Sequence, residues 1–167
     1  MEAVPESSDG SQLVVIWHSR TGGAEAMAQA IASGAGACWL LKAEDVGPDD
    51  LLRASGYVFV CPENLGSLSG LMKEMFDRCY YPLLGRIEGR AYATAIAAGS
   101  GGHGAHAQID RIVTGWRLRR VAEPLIVDFA AQSPDAILAA KRLPKDGRAA
   151  CHDLGAAMAE GLRMGIF

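Results

Sequence analysis

Short, continuous apolar runs alternate along the chain with segments whose apolar residues recur at helical spacing. Continuous runs of this length are typical of strands that are buried on both faces of a sheet. Four of these runs predict strands, at Gln12–Trp17, Ala37–Leu41, Tyr57–Cys61 and Ala91–Ala97. A fifth strand has two candidates, Arg117–Val121 and Pro124–Ala130, because Pro124 interrupts the region.

Helices are expected in the intervals between the strands. A short helix opens at Pro48, Pro82 is expected to end the helix after the third strand, and the last helix is expected near Ala150–Met164. Residues 130–147 predict a partial helix or an irregular excursion. The apolar faces expected to pack inward are Ala24, Met27, Ala28 and Ile31; Leu68, Leu71, Met72, Met75, Phe76 and Cys79; Ile109, Ile112, Val113 and Trp116; and Cys151, Leu154, Met158 and Leu162.

This alternation indicates an α/β protein whose parallel sheet is covered by helices on both faces. With right-handed crossovers, five strands in 167 residues suit a doubly wound sheet of the flavodoxin-like order 2-1-3-4-5. We expect residues 12–167 to form a single domain and residues 1–11 to form a flexible N-terminal segment.

Composition narrows the function classes. Lys and Arg number 16 against 19 Asp and Glu, which is not the basic balance of a nucleic-acid-binding protein. The first residues lack the layout of a signal peptide, and no apolar run approaches the roughly 20 residues of a membrane span. We therefore expect a cytoplasmic protein with no nucleic-acid or membrane partner. The four cysteines form no CxxC pair and the histidines lack ligand spacing, so we expect free thiols and no metal site.

The loop HSRTGG, residues 18–23, joins the first strand to the first helix. A helix N-terminus offers free amides and partial positive charge, glycines let an anion approach closely, and Ser19 and Thr21 add hydroxyl groups. The loop lacks the lysine of GxxxxGK[ST], so a single phosphate monoester suits it better than a triphosphate. From this loop alone, the alternative is an ordinary strand–helix turn in which Thr21 caps the helix.

A second glycine-rich loop, GSGGHG at residues 99–104, matches the dinucleotide fingerprint GxGxxG. That fingerprint belongs after the first strand and requires an acid about 20 residues further on, at the end of the next strand. Glu123 has the right distance, but it precedes an apolar run and would lie at the opposite edge of the sheet. We therefore disfavour a dinucleotide site.

Three loops rich in small residues, HSRTGG, PENLGSLSG and AGSGGHG, follow the first, third and fourth strands. In a 2-1-3-4-5 sheet these strands are neighbours, so the three loops converge at one crevice at their carboxyl ends. Small residues leave backbone groups accessible to a flat polar ring, which predicts one ligand site there.

These motifs resemble the flavodoxin-like FMN proteins over roughly Leu13 to Val127. The run PENLGSLSGLMKEMFDR, with HSRTGGAEAMA before it and GSGGHG after it, is most similar to the NAD(P)H:quinone oxidoreductases of the tryptophan-repressor-binding-protein type. There is also similarity to the NADPH-dependent FMN reductases, whose GSxxGxLK pattern is matched by Gly66, Ser67, Gly70, Leu71 and Lys73.

The resemblance implies an FMN site built from the three loops. Ala24 stands where many flavodoxins carry a hydroxyl, and Arg20 either compensates for that missing donor or points to solvent. His103 matches a histidine beside the flavin in the quinone-reductase branch and is a tentative catalytic residue; a solvent-facing or capping role is the alternative. The implied contacts are Ser19, Arg20, Thr21, Gly22, Gly23 and Ala24 for the phosphate; Pro62, Glu63, Asn64, Leu65 and Gly66 along the isoalloxazine ring; and Gly99, Ser100, Gly101, Gly102 and His103 on its other flank.

Two functions remain open. One is an enzyme that passes electrons from NADH or NADPH through FMN to a quinone-like acceptor, and the other is an electron carrier that docks on redox proteins. Carrier flavodoxins are strongly acidic, whereas this chain has a net charge of −3. Carriers also cover the flavin with aromatic residues, and the two ring loops contain no Trp, Tyr or Phe. Both features favour the enzyme.

Assembly is the last expectation. Tyr80 and Tyr81 come just before Pro82, and adjacent residues do not share one helix face, so at least one of them should lie near the surface. The matching region in the quinone-reductase branch lends an aromatic residue to a neighbouring subunit's flavin pocket. This implies a homodimer or tetramer, which would also cover Ile166 and Phe167 in the apolar C-terminal tail. The alternative is a monomer.

Overall fold

The sheet has five parallel strand positions side by side. The computed structural model describes residues 11–167, so residues 1–10 of the predicted N-terminal segment lie outside the described residues. The order is β2-β1-β3-β5, followed by an edge position that β6 and β7 share. The strands are β1 Leu13–Trp17, β2 Trp39–Lys42, β3 Gly56–Asn64, β4 Ser67–Leu68, β5 Ala91–Ala98, β6 Arg119–Arg120 and β7 Leu125–Asp128.

The predicted fold class and strand order are confirmed. Both candidates for the fifth strand form, because β6 pairs in parallel with the first residues of β5 and β7 pairs in parallel with its last four. Pro124 lies between the two pieces and carries no N–H for a ladder, so the edge strand is interrupted there. β4 is an antiparallel addition that pairs only with β3.

Helices cover the sheet on both faces. Successive residues of β1 and β3 alternate between two cores, as the twofold period of a strand requires. On one face Val14 and Phe59 pack with α2, α3 and α4, and on the other Val15 and Val58 pack with α1 and α6. The helices are α1 Gly23–Ala35, α2 Pro48–Arg53, α3 Gly70–Leu83, α4 His103–Gly115, α5 Pro134–Leu138 and α6 Lys145–Arg163.

Several predicted boundaries and faces were wrong. Pro82 lies inside the last turn of α3, which ends at Leu83, so Tyr80 and Tyr81 are helical. Leu71 is 43 % exposed, because it lies one position, about 100° of rotation, from the stripe that begins at Met72. β2 starts two residues later than predicted, and β3 continues three residues further because β4 pairs with its end. α6 starts at Lys145, before the predicted Ala150.

The C-terminal tail is partly covered by its own chain. The ring of Phe167 lies over Gly161 of α6, close enough that a Cβ there would stand 2.1 Å from the ring. Ile166 remains 61 % exposed. Of the two residues expected to need a partner, Phe167 is therefore partly covered by its own chain, and Ile166 is not.

α1 and α6 approach each other so closely that only hydrogen atoms fit at two positions. A Cβ on Gly34 would stand 1.9 Å from the carbonyl oxygen of His152, and one on Gly155 would stand 1.8 Å from that of Ile31. Both obstacles are backbone atoms of regular helices, which cannot move independently. This contact fixes α6 to α1 and therefore fixes the chain that leads into α6.

Gly155→Ala should destabilise the fold by about 3 kcal/mol, because the added methyl group forces the two helices apart. Gly115→Ala is the matched control, because a Cβ at Gly115 at the end of α4 meets nothing within 4 Å. That change should be neutral or stabilising by up to about 1 kcal/mol. Urea denaturation measures both. An unchanged midpoint for Gly155→Ala would contradict the close helix contact.

Candidate functional site

A cavity of about 620 Å³ opens at the carboxyl ends of the parallel strands. Its volume lies in the range of ordinary small-molecule sites. Residues from all three predicted loops meet in it, and a fourth segment after β7 completes the wall. The lining residues are Ser19, Arg20, Thr21, Gly23, Ala24, Pro62, Glu63, Asn64, Leu65, Gly66, Ala97, Ala98, Gly99, Ser100, Phe129, Ala131, Ile137, Leu138 and Lys141.

The first wall is the loop between β1 and α1. Gly22 is the N-cap of α1 and has φ 95°, a left-handed conformation that suits glycine. Its N–H donates to Ser19 Oγ over 3.0 Å, and no side chain caps the helix. The alternative turn capped by Thr21 is therefore not what forms. Gly22 itself shapes the loop and does not line the cavity.

This wall has the chemistry that a phosphate requires. Ser19 Oγ accepts from Gly22, so its own O–H can donate into the cavity. The uncapped first turn of α1 adds amides and the positive end of the helix dipole. Arg20 is exposed beside it, and no carboxylate among residues 11–167 pairs with it. The residues present therefore fit the phosphate of FMN.

The second wall is a hairpin where a loop was expected. Asn64 of β3 pairs with Ser67 of β4, and the turn residues between them, Leu65 and Gly66, have φ 54° and 72°. A two-residue turn with positive φ at both positions matches the twist of the strands, but it favours Asn or Gly over Leu. Leu65 also makes no compensating core contact, because its side chain is completely exposed at the cavity mouth.

Polar side chains fasten this hairpin to α4. The Glu63 carboxylate accepts from the N–H groups of Gly102 and Ala105, each over 3.0 Å. Gln108 Oε1 accepts from the Ser67 hydroxyl over 2.6 Å and from the Leu68 N–H over 2.9 Å. Glu63 lines the cavity as predicted, but both of its oxygens are committed to the first turn of α4.

The third wall is the end of β5 and the start of the next loop. Ala97, Ala98, Gly99 and Ser100 line the cavity. The predicted residues Gly101 and Gly102 do not line it, because the chain turns there into α4 and Gly102 becomes its N-cap. His103 is the exposed first residue of α4 and also lies outside the lining, so its role beside the flavin stays a prediction.

The fourth wall was missed by sequence reasoning. We call residues 129–141 the strap. It supplies Phe129, Ala131, Ile137, Leu138 and Lys141 to the cavity and contains the short helix α5. The signal was available, because the loop after the fifth strand of a parallel sheet meets the same edge as the other three. The strap lies in the segment that was expected to be a partial helix or irregular.

His18 stands below the first loop. Its side chain is buried, and its Nδ1 is 2.7 Å from the hydroxyl of Ser69, the N-cap of α3. Burial lowers the pKa of His18, Arg20 lowers it further, and Glu44 opposes the shift. The neutral ring is therefore favoured, and its contact with Ser69 joins the first loop to the start of α3.

None of the four cysteines lines the cavity. The four cysteines are free; Cys61, Cys79 and Cys151 are buried, whereas Cys38 is half-buried. Burial raises the pKa of Cys61 to about 12, so its thiol stays protonated. Residues 11–167 bring no three His, Cys, Asp or Glu side chains together as metal ligands. None of their helices has the length and apolarity to cross a bilayer.

Comparisons with known proteins find the same families that the loop motifs resemble. The model of a family described as NADPH-dependent FMN reductase matches residues 49–131. A flavodoxin from Aquifex aeolicus (strain VF5) is 27 % identical over 159 residues, which span 89 % of this chain and 85 % of that protein.

Solved structures share the fold. A flavodoxin from the domain Archaea superimposes with a TM-score of 0.74 at 17 % identity, covering 91 % of this chain and 99 % of that one. The flavodoxin, WrbA-like protein from Agrobacterium tumefaciens gives 0.68 at 20 % identity, covering 92 % and 98 %.

Replacing Glu63 tests how the second and third walls are held together. Glu63→Ala should cost about 1–3 kcal/mol of stability, because two amides at the start of α4 lose their acceptor. FMN affinity should fall as well, since the hairpin is no longer fixed to α4. Glu123→Ala, an exposed glutamate, is the control and should change neither quantity. Thermal melting and FMN titration give the two readouts; full retention of both by Glu63→Ala would refute the fastening role.

Proposed function

Because the loop motifs, the fold and the comparisons all resemble the flavodoxin-like FMN proteins, we propose that this chain is an FMN-dependent oxidoreductase that passes electrons from NADH or NADPH to a quinone or similar small acceptor. The observation that carries the proposal is the match to the FMN reductase family over residues 49–131. That stretch contains the second and third walls of the cavity and the start of the strap.

The chain would hold FMN along the length of the cavity. Ser19, Thr21 and the uncapped start of α1 would bind the phosphate, and the hairpin and the end of β5 would flank the ring. Bound FMN supplies the ability to accept a hydride and return electrons, and the protein supplies position and surroundings. Glu63 does not aim a free charge at the ring, because α4 holds both of its oxygens.

The cavity mouth supports access by a second small molecule. Leu65, Ile137 and Leu138 are large apolar side chains that line the cavity and remain more than half exposed. Phe129 is the aromatic residue among the lining residues, and it lies against Gly23 at the first loop. An apolar mouth beside an uncovered ring suits nicotinamide and a flat uncharged acceptor in turn.

The alternative is an electron carrier, and the similarity to the Aquifex aeolicus flavodoxin favours it. A carrier would receive electrons from a protein partner and would need no nicotinamide site. The modest net charge of −3 argues against this alternative, because electrostatic steering to basic redox partners depends on a strongly acidic surface.

Anaerobic reduction distinguishes the two functions. NADH or NADPH should bleach the visible absorbance of the FMN-loaded protein, and a quinone should restore it with repeated turnover. Free FMN at the same concentration is the control for reaction in solution. If neither nicotinamide bleaches the flavin, and a redox titration shows two separate one-electron steps, the carrier is the better description.

We also propose that the chain assembles through the outer face of α3. Tyr80 and Tyr81 are 40 % and 78 % exposed, their ring centroids are 5.1 Å apart, and Leu84 beside them is half-exposed. A second copy that covers this face would bring an aromatic residue close to a neighbouring FMN site, as the resemblance implies.

Sedimentation at micromolar concentration tests the assembly. The FMN-loaded chain should form a dimer or tetramer, and Tyr81→Glu should shift it to the monomer, because a charge is costly to bury in an apolar interface. Leu40→Glu is the control, since Leu40 is an exposed leucine on β2 at the edge of the sheet. A single 17.6 kDa species with FMN bound and full activity would rule the assembly out.

A further inference from the structure

The strap is tied to the walls on both sides of the cavity. The N–H of Phe129 donates to the Ala98 carbonyl over 2.7 Å, and that of Ala131 donates to the Gly99 carbonyl over 3.0 Å. At the other end, the N–H of Lys141 donates to the Thr21 carbonyl over 2.8 Å. The strap therefore runs from the third wall, beside the ring, to the first wall, at the phosphate loop.

Lys141 is the strap residue that faces the phosphate loop. Its Cβ lies 3.4 Å from the position that a Cβ on Gly23, the first residue of α1, would occupy. Its Nζ donates to the carbonyls of Ile137 and Ala139 over 2.9 and 2.6 Å. An ammonium group has three N–H donors, so one remains after these two bonds. The flexible four-carbon stem lets that group turn toward the loop.

The charges at this end of the cavity have the pattern of an anion site. Lys141 and Arg20 both line it, and within the described part of the chain neither forms an ion pair with a carboxylate. Two cations beside the positive end of α1 repel each other and the helix dipole. A dianionic phosphate removes that repulsion.

We propose that Lys141 determines the selectivity of the site for the phosphorylated flavin, by donating its third N–H to the FMN phosphate. The inference rests on the proposed FMN site and adds a residue outside the three predicted loops. A lysine in this position compensates for the hydroxyl that Ala24 lacks.

Equilibrium titration of the full chain, freed of flavin, with FMN and with riboflavin tests the role of Lys141. Lys141→Gln should weaken FMN about 5- to 20-fold and change riboflavin less than about twofold, because only FMN carries the charge. The FMN difference should shrink as salt rises, since screening weakens the same interaction. Lys141→Arg, which keeps the charge, should retain most of the preference for FMN.

Arg142→Gln is the matched control, because it removes the same charge one residue along, at an exposed position outside the cavity lining. It should leave both affinities unchanged. An unchanged FMN affinity in Lys141→Gln, an equal loss for FMN and riboflavin, or a wild-type chain without preference for FMN would overturn the inference. If Lys141→Gln fails to fold, the decision passes to Lys141→Arg and to the salt dependence of the wild-type preference.

The affinity test is independent of enzyme activity. If Lys141→Gln selectively loses FMN affinity but neither NADH nor NADPH reduces the bound flavin, the proposed activity is wrong and the role of Lys141 stands. Turnover with NADH or NADPH and no difference between the variants would do the reverse.

Discussion

The parallel register of β1, β3 and β5 is the constraint on which the site depends. Trp17 at the end of β1 is level with Val60, and Val60 is level with Ala95. The three strands therefore end at nearly the same level of the sheet, so the loops that follow them share one edge. The cavity needs no dedicated scaffold, because it is the space that these departing chains enclose with the strap.

Sequence reasoning reached this frame because buried parallel strands have the strongest apolar signal in the chain. It placed the three loops on one edge and identified most of the residues that line the cavity. It missed the features that depend on pairing between residues far apart in the sequence. The extension of β3 to Asn64 depends on β4, and the committed carboxylate of Glu63 depends on amides 39 and 42 positions away. The strap shows little periodicity in its apolar residues, because backbone hydrogen bonds to the other loops hold it in place and no buried face is needed.

Two of the three non-glycine residues with positive φ among residues 11–167 lie at the cavity mouth or in the strap, and the third, Arg117, lies just before β6. Leu65 and Ala130 both have positive φ, which costs of order 1 kcal/mol for a residue with a side chain. The Asp128 carboxylate supports Ala130 by accepting its N–H over 2.7 Å, and so helps to hold Phe129 toward the first loop. No comparable bond supports Leu65 among the described residues. The rigid α1–α6 contact at Gly34 and Gly155 lies away from this strain and holds the strap's exit into α6.

Two helices start at this edge of the sheet, and their different caps decide where an anion can bind. The first turn of α4 already receives the Glu63 carboxylate, which occupies the N–H groups of Gly102 and Ala105 that an incoming pyrophosphate would otherwise use. The first turn of α1 receives no side chain at all. GSGGHG therefore matches the dinucleotide fingerprint in sequence, but the Glu63 carboxylate lies where the fingerprint would bind a pyrophosphate. The proposed phosphate site is therefore at HSRTGG, where Arg20 and Lys141 add positive charge.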